Sequence, residues 1–238
     1  MGNLIYEYFT YDDKSSLDFN VRISGGGTFD APQRDVETIS IQGRNGDLHI
    51  DRNRFDNIEI TYDAFIFDDF EHKYPAFKAF LNSKKGYKRL EDTYHPDYYR
   101  KAIYRGELKP KMSTRNIAGA FEIAFDCDPR CFLKRGEETK SVSNGDELRN
   151  DTLFDAKPLI RAYGTGTLSI NGVSVSVTTA NGYTDIDCEL QEAYKGSTNC
   201  NGNITLNNGQ FPVLNPGINE ILYSGFTGIQ ITPNWWTV

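Results

Sequence analysis

LSINGVSVSV, residues 168–177, decides the fold class of this chain. Leu168 and Ile170 precede Asn171-Gly172, and Val173, Val175 and Val177 follow at every second position. A period of two sends successive side chains to opposite faces of a strand. Asn and Gly both tolerate positive φ, which the two central residues of a type I′ turn require. The stretch predicts two antiparallel strands, one face buried, joined by a tight hairpin turn.

The signal spreads outward. Asn-Gly recurs at Asn45-Gly46, Asn144-Gly145, Asn181-Gly182, Asn201-Gly202 and Asn208-Gly209, each a hairpin-turn signal. Ile186, Cys188 and Leu190 alternate, as do Ile204 with Leu206 and Ile229 with Ile231. Residues 136–238 carry five Lys or Arg against eleven Asp or Glu, leaving 21 against 22 in residues 1–135. A charge-dense, balanced part followed by a charge-poor part reads as two domains. The expected division is 1–135, a polar linker at 136–150 (GEETKSVSNGDELRN), and a β-sandwich at 151–238.

The first part is mostly β with one helix. Ile39/Ile41, Leu48/Ile50 and Ile58/Ile60/Tyr62 alternate around GRNGDL, and strand patterns return near Tyr98–Leu108 and in IAGAFEIAF. In YPAFKAFLNSKKG, Tyr74, Phe77, Phe80 and Leu81 recur at spacings of three and four, the apolar face of a short helix. Pro75 falls in its expected first turn, Lys84 and Lys85 suit the negative C-terminal end of the dipole, and Gly86 suits a left-handed cap. The fold class expected is mainly β throughout.

Composition excludes several functions. A hydrophobic fraction of 38% with 13% aromatics is that of a folded chain. The net charge of −7 lacks the basic footprint that displaces counterions from phosphates, so no sequence-specific nucleic-acid binding is expected. No run of 18 apolar residues occurs, and MGNLIYEYFTYDDK lacks the pattern of a signal peptide, so a soluble chain without membrane insertion is expected. The four cysteines form one close pair, Cys127 and Cys131, with Cys188 and Cys200 far away. They read as free thiols, with no metal site.

Chemistry is sparse. His49 falls on the solvent face of a predicted strand, and His72 and His95 fall in predicted loops. Serine-nucleophile, P-loop and H-E-x-x-H motifs are absent. The glycines at 25–27 precede no helical pattern and read as a turn rather than a phosphate cradle. No catalytic, metal-binding or cofactor-binding residue is assigned. Trp235 and Trp236 are adjacent, so on a strand one closes the core while the other meets a second domain or subunit.

Residues 21–60, VRISGGGTFDAPQRDVETISIQGRNGDLHIDRNRFDNIEI, resemble the N-terminal signature of siphophage distal tail proteins. Gly25, Pro32, Arg34, Asp35, Gly43, Arg44, Asn45, Gly46, Asp47 and Leu48 stand at matching positions. EDTYHPDYYRKAIYRGEL, AFEIAFDCDPRCF, AKPLIRAYGTGTLSING, DIDCELQEAY, FPVLNPGINEILYSG and PNWW continue the resemblance in order across nearly the whole chain. It implies an N-terminal ring-forming β domain with one helix and a C-terminal galectin-like sandwich, in the short form without inserted carbohydrate-binding modules. It also implies a homohexameric ring at the virion tail tip, assembled in the host cytoplasm. That ring joins the tail-tube protein to tip or baseplate proteins and lines the DNA exit channel. Gly43, Arg44, Asn45, Gly46 and Asp47 are the candidate subunit or tube interface, and Trp235 and Trp236 the candidate interface aromatics. The competing expectation is a carbohydrate-binding adhesion module on the host surface, although no His follows His95 to complete a galectin-type sugar site.

Overall fold

The computed structural model describes residues 7–25, 29–113, 116–178 and 181–238. Two compact units divide the chain, one ending at Cys131 and one running from Phe132 to Thr237. The fold is mainly β, with one α-helix among the described residues.

In the first unit an antiparallel sheet runs in the order Lys14–Ser15, Phe9–Tyr11, Lys88–Asp92, Tyr98–Tyr104, Gly119–Cys127, Ile58–Ile66, Arg22–Ser24. Its two long central strands obey period two strictly. Ile58, Ile60, Tyr62, Ala64 and Ile66 are buried on one, and Phe121, Ile123, Phe125 and Cys127 on the other. The helix, Phe70–Ser83, covers this face with Phe70, Tyr74, Phe77 and Leu81. Aromatic rings fill the core: Phe9 stacks on Tyr62 with centroids 5.5 Å apart and meets Phe125 edge-on at 5.6 Å.

The helix starts four residues before the segment that its sequence periodicity marked, so Pro75 lies inside it rather than in its first turn. Proline removes one backbone hydrogen bond there. Tertiary contacts offset that loss: Phe70 meets Phe121 edge-on at 6.4 Å, and its N–H donates to Ile117 O at 3.1 Å. Gly86 does have positive φ, but the helix ends at Ser83 with Lys84 extended, so Gly86 is a later turn and not the cap. Lys84 instead reaches Asp12, its Nζ 2.6 Å from Oδ2, and this contact holds the Asp12 carboxyl below the usual range.

In the second unit, one sheet orders Lys140–Val142, Gly228–Thr232, Leu159–Tyr163, Tyr183–Asp187, Glu192–Lys195 and Thr198–Asn199. The other orders Asp146–Asn150, Gly217–Ser224, Gly166–Ile170, Val173–Val177 and Ile204–Leu206. Each buries one face, Ile160, Ala162, Ile186, Ile229 and Ile231 on the first, and Leu168, Ile170, Val175 and Ile221 on the second. That is sandwich construction.

Residues 136–150 are not a linker. They supply an edge strand to each sheet, Lys140 facing Ile231 and Asp146 facing Ile221, and the unit boundary falls at Cys131/Phe132 instead of after 135. Edge strands need few apolar residues, and here Leu148 is buried beside the polar Asn150.

Of the Asn-Gly signals, only Asn171-Gly172 is the two-residue type I′ hairpin: both residues have positive φ, and Ile170 faces Val173. Asn144-Gly145 and Asn181-Gly182 carry the chain from one sheet to the other. Asn201-Gly202 and Asn208-Gly209 sit in single 3-10 turns. The Ile186–Leu190 alternation ends early, at Asp187, which accepts from the N–H groups of Glu189 and Leu190.

Candidate assembly surface

Strands Arg34–Ile39 and Leu48–Phe55 form a two-stranded sheet of their own, outside the larger sheets. Asp56 N–H donates to Gln33 O at 2.8 Å and closes its base. Facing pairs share a side, so Glu37/Ile50 and Ile39/Leu48 lie on one face and Val36/Asp51 and Thr38/His49 on the other. The first face is ionic near the base, where Arg52 pairs with Glu37 at 3.0 Å and Arg54 with Asp35 at 2.9 Å. Towards the tip it turns apolar: Ile39, Leu48 and Ile50 stay 38%, 40% and 44% exposed. On the second face Arg34 pairs with Asp51 at 2.9 Å and lies over the Phe55 ring. A bulge at left-handed Asn53 shifts the register between Arg34 and Val36, and Asp51 Oδ1 accepts from the Asn53 N–H at 2.7 Å.

The five candidate residues Gly43 to Asp47 sit together at the tip, in the eight-residue loop 40–47. The reversal is therefore not a tight Asn45-Gly46 turn. Gly43 and Gly46 have positive φ while Asn45 does not, and Arg44 N–H donates to Ile41 O at 3.1 Å. Every residue of the loop is exposed, and Arg44 and Asp47 make no ion pair among the described residues. A two-stranded ribbon is marginal in water by itself. This one holds its shape through ion pairs and presents an uncovered apolar stripe.

The two tryptophans divide their work within the second unit. Trp235 is 4% exposed, and its O accepts from the Leu133 N–H at 2.9 Å. Trp236 stacks on Phe154 at 4.3 Å and donates from Nε1 to Asp155 O at 2.9 Å. Sequence reasoning assigned one of them outward and could not see that Phe154 receives it.

Among the described residues, no group of three His, Cys, Asp or Glu side chains is placed to hold a metal ion. His49 bonds Thr38 Oγ1 at 3.2 Å, and His95 bonds Asp92 at 3.2 Å. His72 lies in the first turn of the helix and not in a loop, its Nδ1 2.6 Å from Asp69 Oδ1. The cysteines are free thiols, and burial pushes Cys127 and Cys188 up to about 12, which disqualifies both as nucleophiles at neutral pH. Gly26 and Gly27 lie outside the described residues.

The His72 contact has a measurable signature. Bonding to Asp69 raises the imidazole above its ordinary 6.5. A raised folded-state value stabilises the fold below the unfolded value, and that contribution disappears as pH rises through the folded one. In an NMR titration His72 is expected to titrate above 6.5, and Asp69→Asn to bring it back. A midpoint indifferent to Asp69→Asn means the pair does not form in solution.

No sequence-family profile matches the chain, and no curated protein matches it by sequence. Solved structures do match. A crystal structure of the SPP1 Dit (gp 19.1) protein, described as a paradigm of the hub adsorption apparatus in phages infecting Gram-positive hosts, superposes with a TM-score of 0.78 at 15% identity. The match covers 98% of this chain and 100% of that one. The chain has the distal-tail-protein fold. A chain of the phage P2 baseplate, activated with Ca, matches with a TM-score of 0.56 at 12% identity, over 95% of this chain and 98% of that one. The same baseplate with Sr gives 0.55 at 12% identity, over 94% and 97%. The distal-tail fold accounts for both units at once, since the SPP1 match runs through sheet, helix and sandwich alike.

Proposed function

We propose that this chain is a non-enzymatic structural protein of a phage virion, a homohexameric ring at the distal end of a non-contractile tail. The ring joins the tail-tube protein to the tip or baseplate proteins, and the DNA leaves through its lumen. Full-length correspondence to the hub of an adsorption apparatus carries this reading. The uncovered hairpin supplies a physical basis for it. A closed ring needs heterologous contacts, one patch of each copy against a different patch of the next. The Arg34–Phe55 hairpin has the features of one such patch, apolar at the tip and held in shape by ions at the base. In the sandwich the prominent polar pair, Arg161 with Asp185 at 2.6 Å, is closed on itself.

Light scattering and electron microscopy of the purified chain test this reading. Rings of six times 27.0 kDa are expected, at high concentration or with the tube protein present. A mass that stays monomeric at every concentration, and with both tail neighbours added, overturns it.

A further inference from the structure

We infer that Asn45 is a spontaneous modification site, deamidating ahead of the hydrogen-bonded Asn144, Asn171 and Asn201, and that the change ages the hairpin tip. The reaction needs only water. The backbone nitrogen of Gly46 attacks Cγ of Asn45, a new C–N bond forms, and the side-chain nitrogen leaves as ammonia with the proton given up by Gly46. Water then opens the cyclic imide at either carbonyl, leaving aspartate or isoaspartate. A following glycine favours the attack because it brings no Cβ to obstruct ring closure. Six Asn-Gly pairs share that advantage, so the tertiary structure must rank them.

A side-chain amide already committed to hydrogen bonds resists the rotation that the attack requires. Asn144 Oδ1 accepts from the Tyr223 N–H at 2.7 Å, and the Gly145 N–H is itself donated to Ile221 O at 2.9 Å. Asn171 is held at both ends, donating to Asn219 Oδ1 at 2.7 Å and accepting from the Glu220 N–H at 3.1 Å. Asn201 Oδ1 accepts from the Ala193 N–H at 2.6 Å. At Asn181-Gly182 the carbonyls accept from Lys195 Nζ and the Gly164 N–H, which leaves the Asn181 side chain unbonded among the described residues, as that of Asn208 is. Asn45 has none of the restraints on Asn144, Asn171 and Asn201. Its side chain is exposed, and among the described residues nothing bonds it and no acceptor takes the Gly46 N–H. It sits at a loop tip, where backbone freedom is greatest. Conversion puts a second negative charge two residues from Asp47, on the surface assigned above to assembly. The chemical ranking stands without that assignment; only the effect on assembly rests on it.

The test incubates the full-length protein at mildly alkaline pH and maps peptides over time. Amide-to-acid mass gain, with aspartate and isoaspartate products, is expected at Asn45 several-fold faster than at Asn144, Asn171 or Asn201. Equal rates at all the Asn-Gly sites, or an intact Asn45 beside converted neighbours, overturn the inference. Assembly is then compared between fresh and aged wild type, with Asn45 conversion measured separately in rings and in free subunits. Converted chains should be depleted from the rings and enriched among the free subunits. Equal conversion in both overturns the ageing effect but not the chemistry, whereas fresh protein that never assembles with its tail neighbours defeats the ring reading instead.

Discussion

Replacing Ile39, Leu48 and Ile50 together with threonine is expected to abolish ring assembly while leaving the melting temperature of the monomer almost unchanged. The hairpin does not hydrogen-bond as a strand to the larger sheet of its own unit, and threonine keeps the strand preference of the residues it replaces. Its apolar stripe therefore contributes little inside one copy. Covering the exposed remainder of three such side chains against a neighbour contributes about 1 kcal/mol each, by the usual value per unit of apolar area. Losing about 3 kcal/mol weakens each contact on the order of 100-fold, and a ring repeats the loss at every contact. Arg44→Ala with Asp47→Ala should weaken assembly less, because exposed ion pairs contribute roughly 0–1 kcal/mol. Sedimentation of the triple variant decides the matter: rings at wild-type concentration place the subunit contact elsewhere.

Gly166→Ala is expected to be among the most damaging single substitutions in the second unit. Gly166 opens a strand paired on both sides, facing Val177 on one, while its neighbour Thr167 faces Ser224 on the other. An added Cβ would lie 2.2 Å from Ser224 O and 2.8 Å from Phe226 N, both backbone atoms that no rotamer change can move. Relief requires parting the Gly217–Ser224 strand from its neighbour, in a core that is already close-packed. Overpacking of this kind costs about 1–3 kcal/mol, and more where backbone must yield. Gly202→Ala is the control, since nothing lies within 4 Å of a Cβ there and its φ is not positive. A urea midpoint for Gly166→Ala no lower than that for Gly202→Ala refutes the close approach.

What the sequence determined by itself was whatever depends on near neighbours. Alternation in Ile58–Ile66 and Val173–Val177 announced strands and their buried faces, because period two is a property of the strand alone. Asn171-Gly172 announced its turn for the same reason. The candidate tip, Gly43 to Asp47, was legible as an exposed loop between alternating strands. Tertiary structure decided everything that depends on distant partners. Asn144-Gly145 has the same turn chemistry as Asn171-Gly172, yet its flanking strands pair with Gly228–Thr232 and Gly217–Ser224 rather than with each other. Local chemistry permits a reversal without choosing the partner. Segment 136–150 looked too polar for a sheet because an edge strand borrows its core from the strands beside it. Phe70 escaped the helical pattern because Pro75 argues locally for a later start, and only Ile117 and Phe121, far along the chain, outweigh it. In the Arg34–Phe55 hairpin Ile39, Leu48 and Ile50 alternate as they would against a core, and only the packing leaves that stripe exposed. Periodicity states which side of a strand is apolar; only the packing of the whole chain states whether something lies against it.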